Sequence, residues 1–224
     1  MFEEEKEVLK RICVKSNAER QNALENELRA LDIHYENLND MALVVPSKTE
    51  RKIVLCAHFD AEEGSYGYND NGMALVTVLK MLGQLPSNVE AVFTNGEEHG
   101  MMGSRYYLEH TEIKNIKGCI NLDVVGCFDQ VYLDPMNFEA ARQLTNCKQG
   151  KMPICDACIF AWEGIPTVCF SSGPSVNYFE DGIEAIKTTL HNNRNDNRFE
   201  LLNFEMIGKV TAEVKKAIDL MDAP

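Results

Sequence analysis

The sequence predicts an α/β fold, a single-domain three-layer sandwich in which a mixed, mostly parallel β-sheet is flanked by helices. Short apolar runs rich in β-branched residues alternate with segments whose apolar residues recur at helical spacing. This alternation is typical of a sheet covered on both faces. Acidic and imidazole side chains also follow several strand-like runs, where open α/β sheets carry their functional groups. Since no repeat or linker interrupts the pattern, we expect residues 1–224 to form one domain.

The individual elements follow from the same periodicities. The N-terminal segment is predicted to be helical, because leucines recur at helical spacing and Ser16-x-x-Glu19 matches a capping box. Strands are predicted at residues 41–45, 52–57, 89–93, 116–125 and 167–170. Helices are predicted at residues 74–82, 104–110, 137–147 and 156–163, and a long amphipathic helix begins near residue 201 and closes the chain.

Composition excludes several classes of protein. The chain has 224 residues, of which 45% are hydrophobic, so it is not an intrinsically disordered chain. No apolar run approaches the roughly 18 residues of a membrane span. The net charge of −13 argues against nucleic-acid binding, which needs basic surfaces. The acidic surplus is explained either by a solvated surface or by carboxylates that converge on bound cations, and composition leaves both open.

The N-terminus and the cysteines predict a cytoplasmic protein. The chain starts with an acidic segment rather than a basic and then apolar one, so we expect no signal peptide. Its eight cysteines are therefore expected to be reduced thiols, several of them buried in apolar runs. One Cys-x-x-Cys pair, Cys155 and Cys158, has the spacing of redox and zinc sites, but a single pair is weak evidence.

His58 and Asp60 form the first candidate motif. They follow the predicted strand 52–57, and residues two apart on an extended segment point to the same side. Asp60 can therefore accept the ring N–H of His58 and orient it toward a metal. An ordinary exposed histidine beside an aspartate remains the alternative.

Two further acidic motifs occupy comparable positions. Asp70 precedes a helix and is either an N-cap residue or a metal ligand that bridges two ions. Glu97 and Glu98 follow the predicted strand 89–93 as adjacent like charges. One carboxylate of such a pair can bind a metal while the other acts as general base, unless the pair is simply a solvated acidic loop.

Asp123 and His191 complete the candidates. Asp123 stands in the apolar run CINLDVV at residues 119–125, where a carboxylate is expected to be partly desolvated and to need a positive partner. Lys117 is the only cationic residue close by in sequence, which favours a metal as that partner. His191 ends a helix-like stretch and is unremarkable without the other motifs.

Taken in order, these motifs resemble the M28 family of zinc aminopeptidases. Segment 96–107, GEEHGMMGSRYY, is similar to the family's Gly-Glu-Glu-x-Gly-apolar-apolar-Gly-Ser-x-x-Tyr segment. INLD at residues 120–123 is similar to its metal-binding strand, and GIPTV at 164–168 followed by SSG at 171–173 also resembles a family signature. The resemblance runs from about Lys52 to the C-terminus.

The resemblance implies a zinc aminopeptidase that hydrolyses the N-terminal peptide bond of peptides, with the zinc exopeptidase fold and two zinc ions, although other divalent metals stay open. Asp70 would bridge the ions, Glu97 would be the general base and Asp60 would orient His58. One ion would take Glu98 and His191, and the other His58 and Asp123. Its partners would be peptides with a free N-terminus rather than nucleic acids or membranes. The short chain implies a bare catalytic domain, and neither the preferred substrate, the substrate-binding residues nor the oligomeric state can be predicted.

The sequence departs from the family pattern at three places. Asn69 replaces the first Asp of an Asp-Asp-Asn motif, which leaves Asp70 as the expected ligand. The Asp that supports the last histidine is displaced by one residue, to Asp196. A Ser-Asp-His-x-x-Phe string reads CDACIF at residues 155–160, so that Asp156 is kept and the histidine is lost.

Two alternatives share this scaffold. A glutaminyl cyclase would use one zinc and nearly the same ligands, but its pocket is expected to contain Trp, including one before the last histidine. Here Leu190 precedes His191, and the single Trp is Trp162. A non-catalytic relative would be expected to lose the general base, whereas Glu97 is present.

Overall fold

An eight-stranded mixed β-sheet forms the centre of the computed structural model, which describes residues 2–173 and 198–223. The strands are β1 (Glu36–Leu38), β2 (Ala42–Val45), β3 (Lys52–His58), β4 (Val89–Thr94), β5 (Ile116–Leu122), β6 (Gln130–Asp134), β7 (Lys148–Gln149) and β8 (Thr167–Gly173). They lie in the order β1-β2-β4-β3-β5-β8-β6-β7. The predicted α/β class is confirmed.

Four central strands run parallel and end at one edge of the sheet. β3 pairs with both β4 and β5, and β5 pairs with β8, all in parallel register. β2 and β6 run antiparallel on either side of this group. His58, the last residue of β3, pairs with Thr94, the last residue of β4. The loops that follow β3, β4 and β5 therefore start side by side.

Helices cover both faces of the sheet. They are α1 (Glu3–Ile12), α2 (Asn17–Ala30), α3 (Met73–Met81), α4 (Met102–Glu109), α5 (Asp156–Trp162) and α6 (Glu205–Asp222). α1, α2, α3 and α6 pack on one face, and α4 and α5 on the other. Side chains of β3 alternate between the two cores: Leu55 and Ala57 join the first, and Val54 and Cys56 the second. This is the three-layer arrangement that the alternating pattern predicts.

The predicted local signals explain most element boundaries. Ser16 caps α2, and its hydroxyl accepts the N–H of Glu19 at 3.4 Å. α5 stops before Gly164, which has a φ of +76°. β5 ends at Leu122, earlier than predicted, because Val124 adopts a left-handed φ of 55° that no strand tolerates.

The predicted helix at 137–147 is wrong. This segment contains only a 3₁₀ turn at Glu139–Gln143 and then enters β7. Its start is tied to the sheet by Asn137, whose side chain accepts the N–H of Thr167 at 2.8 Å. β1, β6 and β7 were not predicted, because they are short and lack a clear alternation of apolar and polar residues.

Candidate metal centre

His58 lies at the end of β3 with its ring nitrogens facing different partners. Nδ1 is 3.1 Å from the carbonyl oxygen of Asp60 and 3.5 Å from its Oδ1. Nε2 faces the opposite way, toward Asp70 and Asp123. Asp60 therefore lies behind the imidazole, as the His-x-Asp spacing predicts.

Three side chains from separate segments of the chain meet at the edge of the sheet. His58 Nε2 lies 3.0 Å from Asp70 Oδ1 and 3.6 Å from Asp123 Oδ1. The three potential ligand atoms all lie within 4.8 Å of one another. Their side chains are 2%, 4% and 14% exposed, in the order given. The parallel strands thus bring together residues that are far apart in sequence.

This donor set fits a zinc ion. Ligand atoms of a tetrahedral zinc site are about 3.3 Å apart, which lies between the two distances from His58 Nε2. Among the described residues, His58 Nε2 and Asp123 Oδ1 are buried without a hydrogen-bond partner. Such atoms are costly unless something satisfies them, and a divalent cation between them would satisfy both.

The electrostatics of the cluster also favour a cation. Burial lowers the pKa of His58, but its contacts with Asp123, Asp60 and Asp70 outweigh burial and raise that pKa well above its usual range. Burial raises the pKa of Asp123 to about 6, with a smaller contribution from the charge of Asp70. The cluster therefore contains three carboxyl groups, of Asp60, Asp70 and Asp123, around a single imidazole, and a bound cation would balance their negative charge.

Asp60 also binds the backbone of the Glu97–Glu98 turn. Its Oδ1 accepts the N–H of Glu97 at 3.1 Å, and its Oδ2 accepts the N–H of Glu98 at 3.2 Å. Burial alone would raise the pKa of Asp60, but His58 and these two N–H groups lower it below the ordinary value. One carboxylate thus links the loop after β3 to the loop after β4, a role that the sequence did not reveal.

Glu97 and Glu98 border the cavity in front of the cluster. Asp70 and Asp123 line the same cavity, whose volume is about 230 Å³. Burial raises the pKa of Glu97 to about 9, and the nearby carboxylates of Asp123, Asp156 and Asp70 add to this effect. The cavity is also lined by five apolar residues, Met101, Val124, Met152, Pro153 and Ile154. The cavity therefore combines carboxylates with apolar side chains.

Asn71 ties the Asp70 turn to the segment that carries Asp123. Its Nδ2 donates to the carbonyl of Leu122 at 2.8 Å, and its Oδ1 accepts the N–H of Val124 at 3.2 Å. Sequence reasoning missed this role. The available signal was the position of a short amide side chain directly beside a candidate ligand.

Asp156 lies at the start of α5 and is buried. Its Oδ2 accepts the hydroxyl of Thr94 at 2.5 Å, and its Oδ1 has no hydrogen-bond partner among the described residues. Burial raises the pKa of Asp156. Asp156 does not line the cavity, so its influence on the site is electrostatic: its charge raises the pKa of Glu97 and of Asp123.

Two sequence motifs remain to be placed. His191 lies outside the described residues, so its part in the site stays a prediction. The Cys-x-x-Cys pair lies at the start of α5, where the Cys155 thiol is a hydrogen-bond partner of Cys158. Cys155 Sγ is also 3.9 Å from Cys169 Sγ, and all three cysteines are buried.

A protein-family model matches most of the chain. The model of peptidase family M28 matches residues 40–199, a span that contains every predicted site residue. The chain belongs to peptidase family M28. The resemblance found in the motifs is thereby confirmed.

Solved structures confirm the M28 fold. A zinc aminopeptidase from Bacillus subtilis, BSAP, is 24% identical and superposes with a TM-score of 0.63, over 79% of this chain and 50% of that one. The LapA aminopeptidase of Legionella pneumophila is 13% identical with a TM-score of 0.71, over 96% of this chain and 70% of its own. A glutaminyl cyclase from Porphyromonas gingivalis is 17% identical with a TM-score of 0.71, over 96% of both chains.

Curated relatives correct the predicted location. Vacuolar membrane proteases of Candida glabrata and Debaryomyces hansenii are 34% and 30% identical, over 45% and 46% of this chain. The matched part is 11% of each relative, so the chain corresponds to a small part of these proteins. The prediction of a cytoplasmic protein is wrong, because these relatives are named for a vacuolar membrane. Within residues 2–173 and 198–223, no helix has the length and apolar character to cross a bilayer.

Proposed function

We propose that this chain is a zinc-dependent aminopeptidase that removes the N-terminal residue of peptides, built as one catalytic domain. The observation that carries the proposal is the buried cluster of His58, Asp70 and Asp123, with two unsatisfied ligand atoms, beside Glu97 in an open cavity. Family membership supplies the reaction class, and the cluster supplies a place for the metal.

The proposed ligands extend beyond this cluster. Asp70 would be shared by two zinc ions. One ion would be held by His58 and Asp123, and the other by Glu98 and His191. Glu98 supports this arrangement by lining the same cavity as Asp70 and Asp123. Zinc bound there supplies a Lewis acid that polarises a peptide carbonyl and makes a water molecule more acidic.

Glu97 is placed to move the proton during hydrolysis. Its carboxylate borders the cavity, while its backbone N–H is held by Asp60. As general base, Glu97 would accept the proton of the attacking water and pass it to the leaving amine. Asp60 would keep His58 and Glu97 in position, because its Oδ1 lies 3.5 Å from His58 Nδ1 and accepts the N–H of Glu97.

The charge of the cavity supports action at chain ends. Carboxylates line one side of it, and a free α-amino group is a cation at neutral pH. An N-terminus is therefore attracted to the site, whereas an internal peptide segment offers no such charge. The apolar residues that line the cavity would receive the side chain of the substrate.

A glutaminyl cyclase is the second candidate, favoured by the full-length superposition on the enzyme from Porphyromonas gingivalis. Against it, the single Trp of this chain does not line the cavity. Trp162 is 63% exposed on α5 and packs 5.9 Å from the guanidinium of Arg105. The aromatic pocket expected of a cyclase therefore lacks its Trp, and we retain the aminopeptidase as the proposal.

The test combines metal content with two activity assays. The wild type and Glu97→Gln are assayed for zinc, for hydrolysis of aminoacyl-nitroanilides and for cyclisation of a peptide with N-terminal Gln. We expect about two zinc ions per chain and a loss of about 10²- to 10⁴-fold in kcat for Glu97→Gln, the usual contribution of a general base. Glu163→Gln is the matched control and should keep full activity, because Glu163 is exposed, directly follows α5 and does not line the cavity.

Three results would contradict the proposal. A protein that binds no zinc would remove its basis, and unchanged hydrolysis by Glu97→Gln would exclude the assigned base. Cyclisation without hydrolysis would instead establish the second candidate.

A further inference from the structure

The two N-terminal helices pack against the loop that connects His58 to the turn that carries Asp70. This loop, residues 59–67, follows His58 and leads into the turn Tyr68–Gly72, which carries Asp70. The family match begins at residue 40, so α1 and α2 precede the part of the chain that matches M28. The contacts between these helices and the loop therefore join a segment outside the family match to a segment inside it.

Arg20 of α2 binds both ends of this loop. The residue is 1% exposed, and its Nε donates to the carbonyl of Phe59 at 2.5 Å. Its Nη1 donates to the carbonyl of Tyr66, also at 2.5 Å. Phe59 lies between His58 and Asp60, and Tyr66 lies just before the Asp70 turn. A single planar guanidinium therefore sets the distance between the two ends of the loop.

Asn17, one turn earlier on α2, holds the same loop at a third point. Its Oδ1 accepts the N–H of Ala61 at 3.0 Å, and its Nδ2 donates to the carbonyl of Ala61 at 3.3 Å. Both polar groups of this loop residue are thus paired with one side chain. The first turns of α2 bind the loop through directional hydrogen bonds, which fix position more strictly than apolar packing does.

Glycines allow the backbone to approach the helices closely. Gly67 has a φ of +56°, and a Cβ there would lie 2.6 Å from the carbonyl oxygen of Asp70 and 3.0 Å from Arg20 Nη1. A Cβ at Gly72 would lie 2.2 Å from Cys13 Sγ. The turn that carries Asp70 is therefore enclosed by α1, α2 and its own backbone, with no space for a side chain at either position.

We propose that Arg20 is a positioning residue of the metal centre, which holds loop 59–67 so that His58 and Asp70 keep the separation that a metal ion requires. The identity of the ion as zinc rests on the proposed function. Without the guanidinium, two loop carbonyls lose their donors and the loop gains freedom, so the ligands must be ordered when the metal binds. Loss of a group that supports metal ligands typically lowers metal affinity about 10- to 100-fold.

The test compares Arg20→Met with a variant of equal structural severity that leaves the loop contacts intact. Leu24→Ala serves this purpose, because Leu24 is fully buried one turn further along α2 and contributes only apolar contacts. Three quantities are measured: the zinc dissociation constant by competition with a chelator, the melting temperature, and hydrogen–deuterium exchange of residues 59–67 in the metal-free protein.

Arg20→Met should weaken zinc binding about 10- to 100-fold and speed exchange across residues 59–67. Leu24→Ala should lower the melting temperature while leaving the zinc dissociation constant and the exchange of the loop unchanged. Arg20→Lys, which keeps the charge but not the planar fork, should fall between the wild type and Arg20→Met. If Arg20→Met does not fold, Asn17→Ala removes the contacts with Ala61 and should show the same pattern with a smaller effect.

Equal zinc affinity and equal loop exchange in Arg20→Met and Leu24→Ala would overturn the assignment. The exchange experiment uses metal-free protein, so it decides the role of Arg20 in the loop even if the wild type binds no zinc. A wild type that binds no zinc would refute the proposed function, whereas the exchange data would still show whether Arg20 holds the loop.

Discussion

Replacing Asp60 with asparagine tests the view that one carboxylate connects two loops of the site. Asparagine has nearly the same size but only one oxygen, and its NH2 group donates hydrogen bonds and cannot accept one. Since the two oxygens of Asp60 accept separate N–H groups, from Glu97 and Glu98, one of these loses its acceptor. The substitution also removes the negative charge 3.5 Å from His58 Nδ1.

The magnitude follows from the lost hydrogen bond. A hydrogen bond to a charged group contributes about 1.5–3 kcal/mol, and Asp60 is 1% exposed, so solvent cannot replace it. We therefore expect Asp60→Asn to lower the free energy of unfolding of the metal-free protein by about 2–3 kcal/mol. For a chain of this size that corresponds to a fall of roughly 4–12 °C in melting temperature.

Urea denaturation of the metal-free protein measures this effect directly. Asp32→Asn is the matched control, because Asp32 is exposed and has a φ of 55°, a conformation that asparagine also tolerates. The control should change the free energy of unfolding by less than about 0.5 kcal/mol. If Asp60→Asn were as stable as this control, the link between the two loops would carry no energy and the reasoning would fail.

Three further predictions follow from other parts of the structure. Removing zinc with a chelator should lower the melting temperature by about 8–16 °C, because a ligand at a thousandfold excess over its Kd stabilises a protein by about 4 kcal/mol. Adding zinc back should restore the melting temperature, and a melting temperature that the chelator does not change would contradict the metal centre. Gly103→Ala should destabilise the protein by about 1–3 kcal/mol, because its Cβ would lie 2.5 Å from the carbonyl oxygens of Asn95 and Met41. Gly208→Ala, a helical position with nothing within 4 Å, should instead stabilise by about 0.5–1 kcal/mol in the same denaturation assay. The hydrogen bond with the Cys155 thiol lowers the pKa of Cys158 to about 6, so Cys158 should react with iodoacetamide at pH 7 before the other cysteines. Mass spectrometry of labelled peptides measures this order, and faster labelling of another cysteine would contradict the prediction.

The sequence predicted the strands of the central sheet and most of the helices because these depend on local patterns. β3 and β4 are continuous apolar runs, and α2 begins at a capping serine, so short stretches of sequence suffice to identify them. The failed helix at 137–147 and the missed β6 and β7 share one cause. Their conformation depends on contacts with distant residues, such as that of Asn137 with Thr167, rather than on their own periodicity.

By itself, the sequence determined the α/β class, the family and the acidic residues that follow the central strands, because strand and helix periodicity and motif order are local properties of the chain. Only the tertiary structure decided that His58, Asp70 and Asp123 converge, since their separation depends on strand order and register. It also showed that Asp60, after β3, binds the turn after β4. In addition, it showed that Arg20 binds the loop between His58 and Asp70. Hydrogen bonds between residues 37 to 46 positions apart leave no periodic trace in the sequence, so their geometry emerges only when the chain has folded.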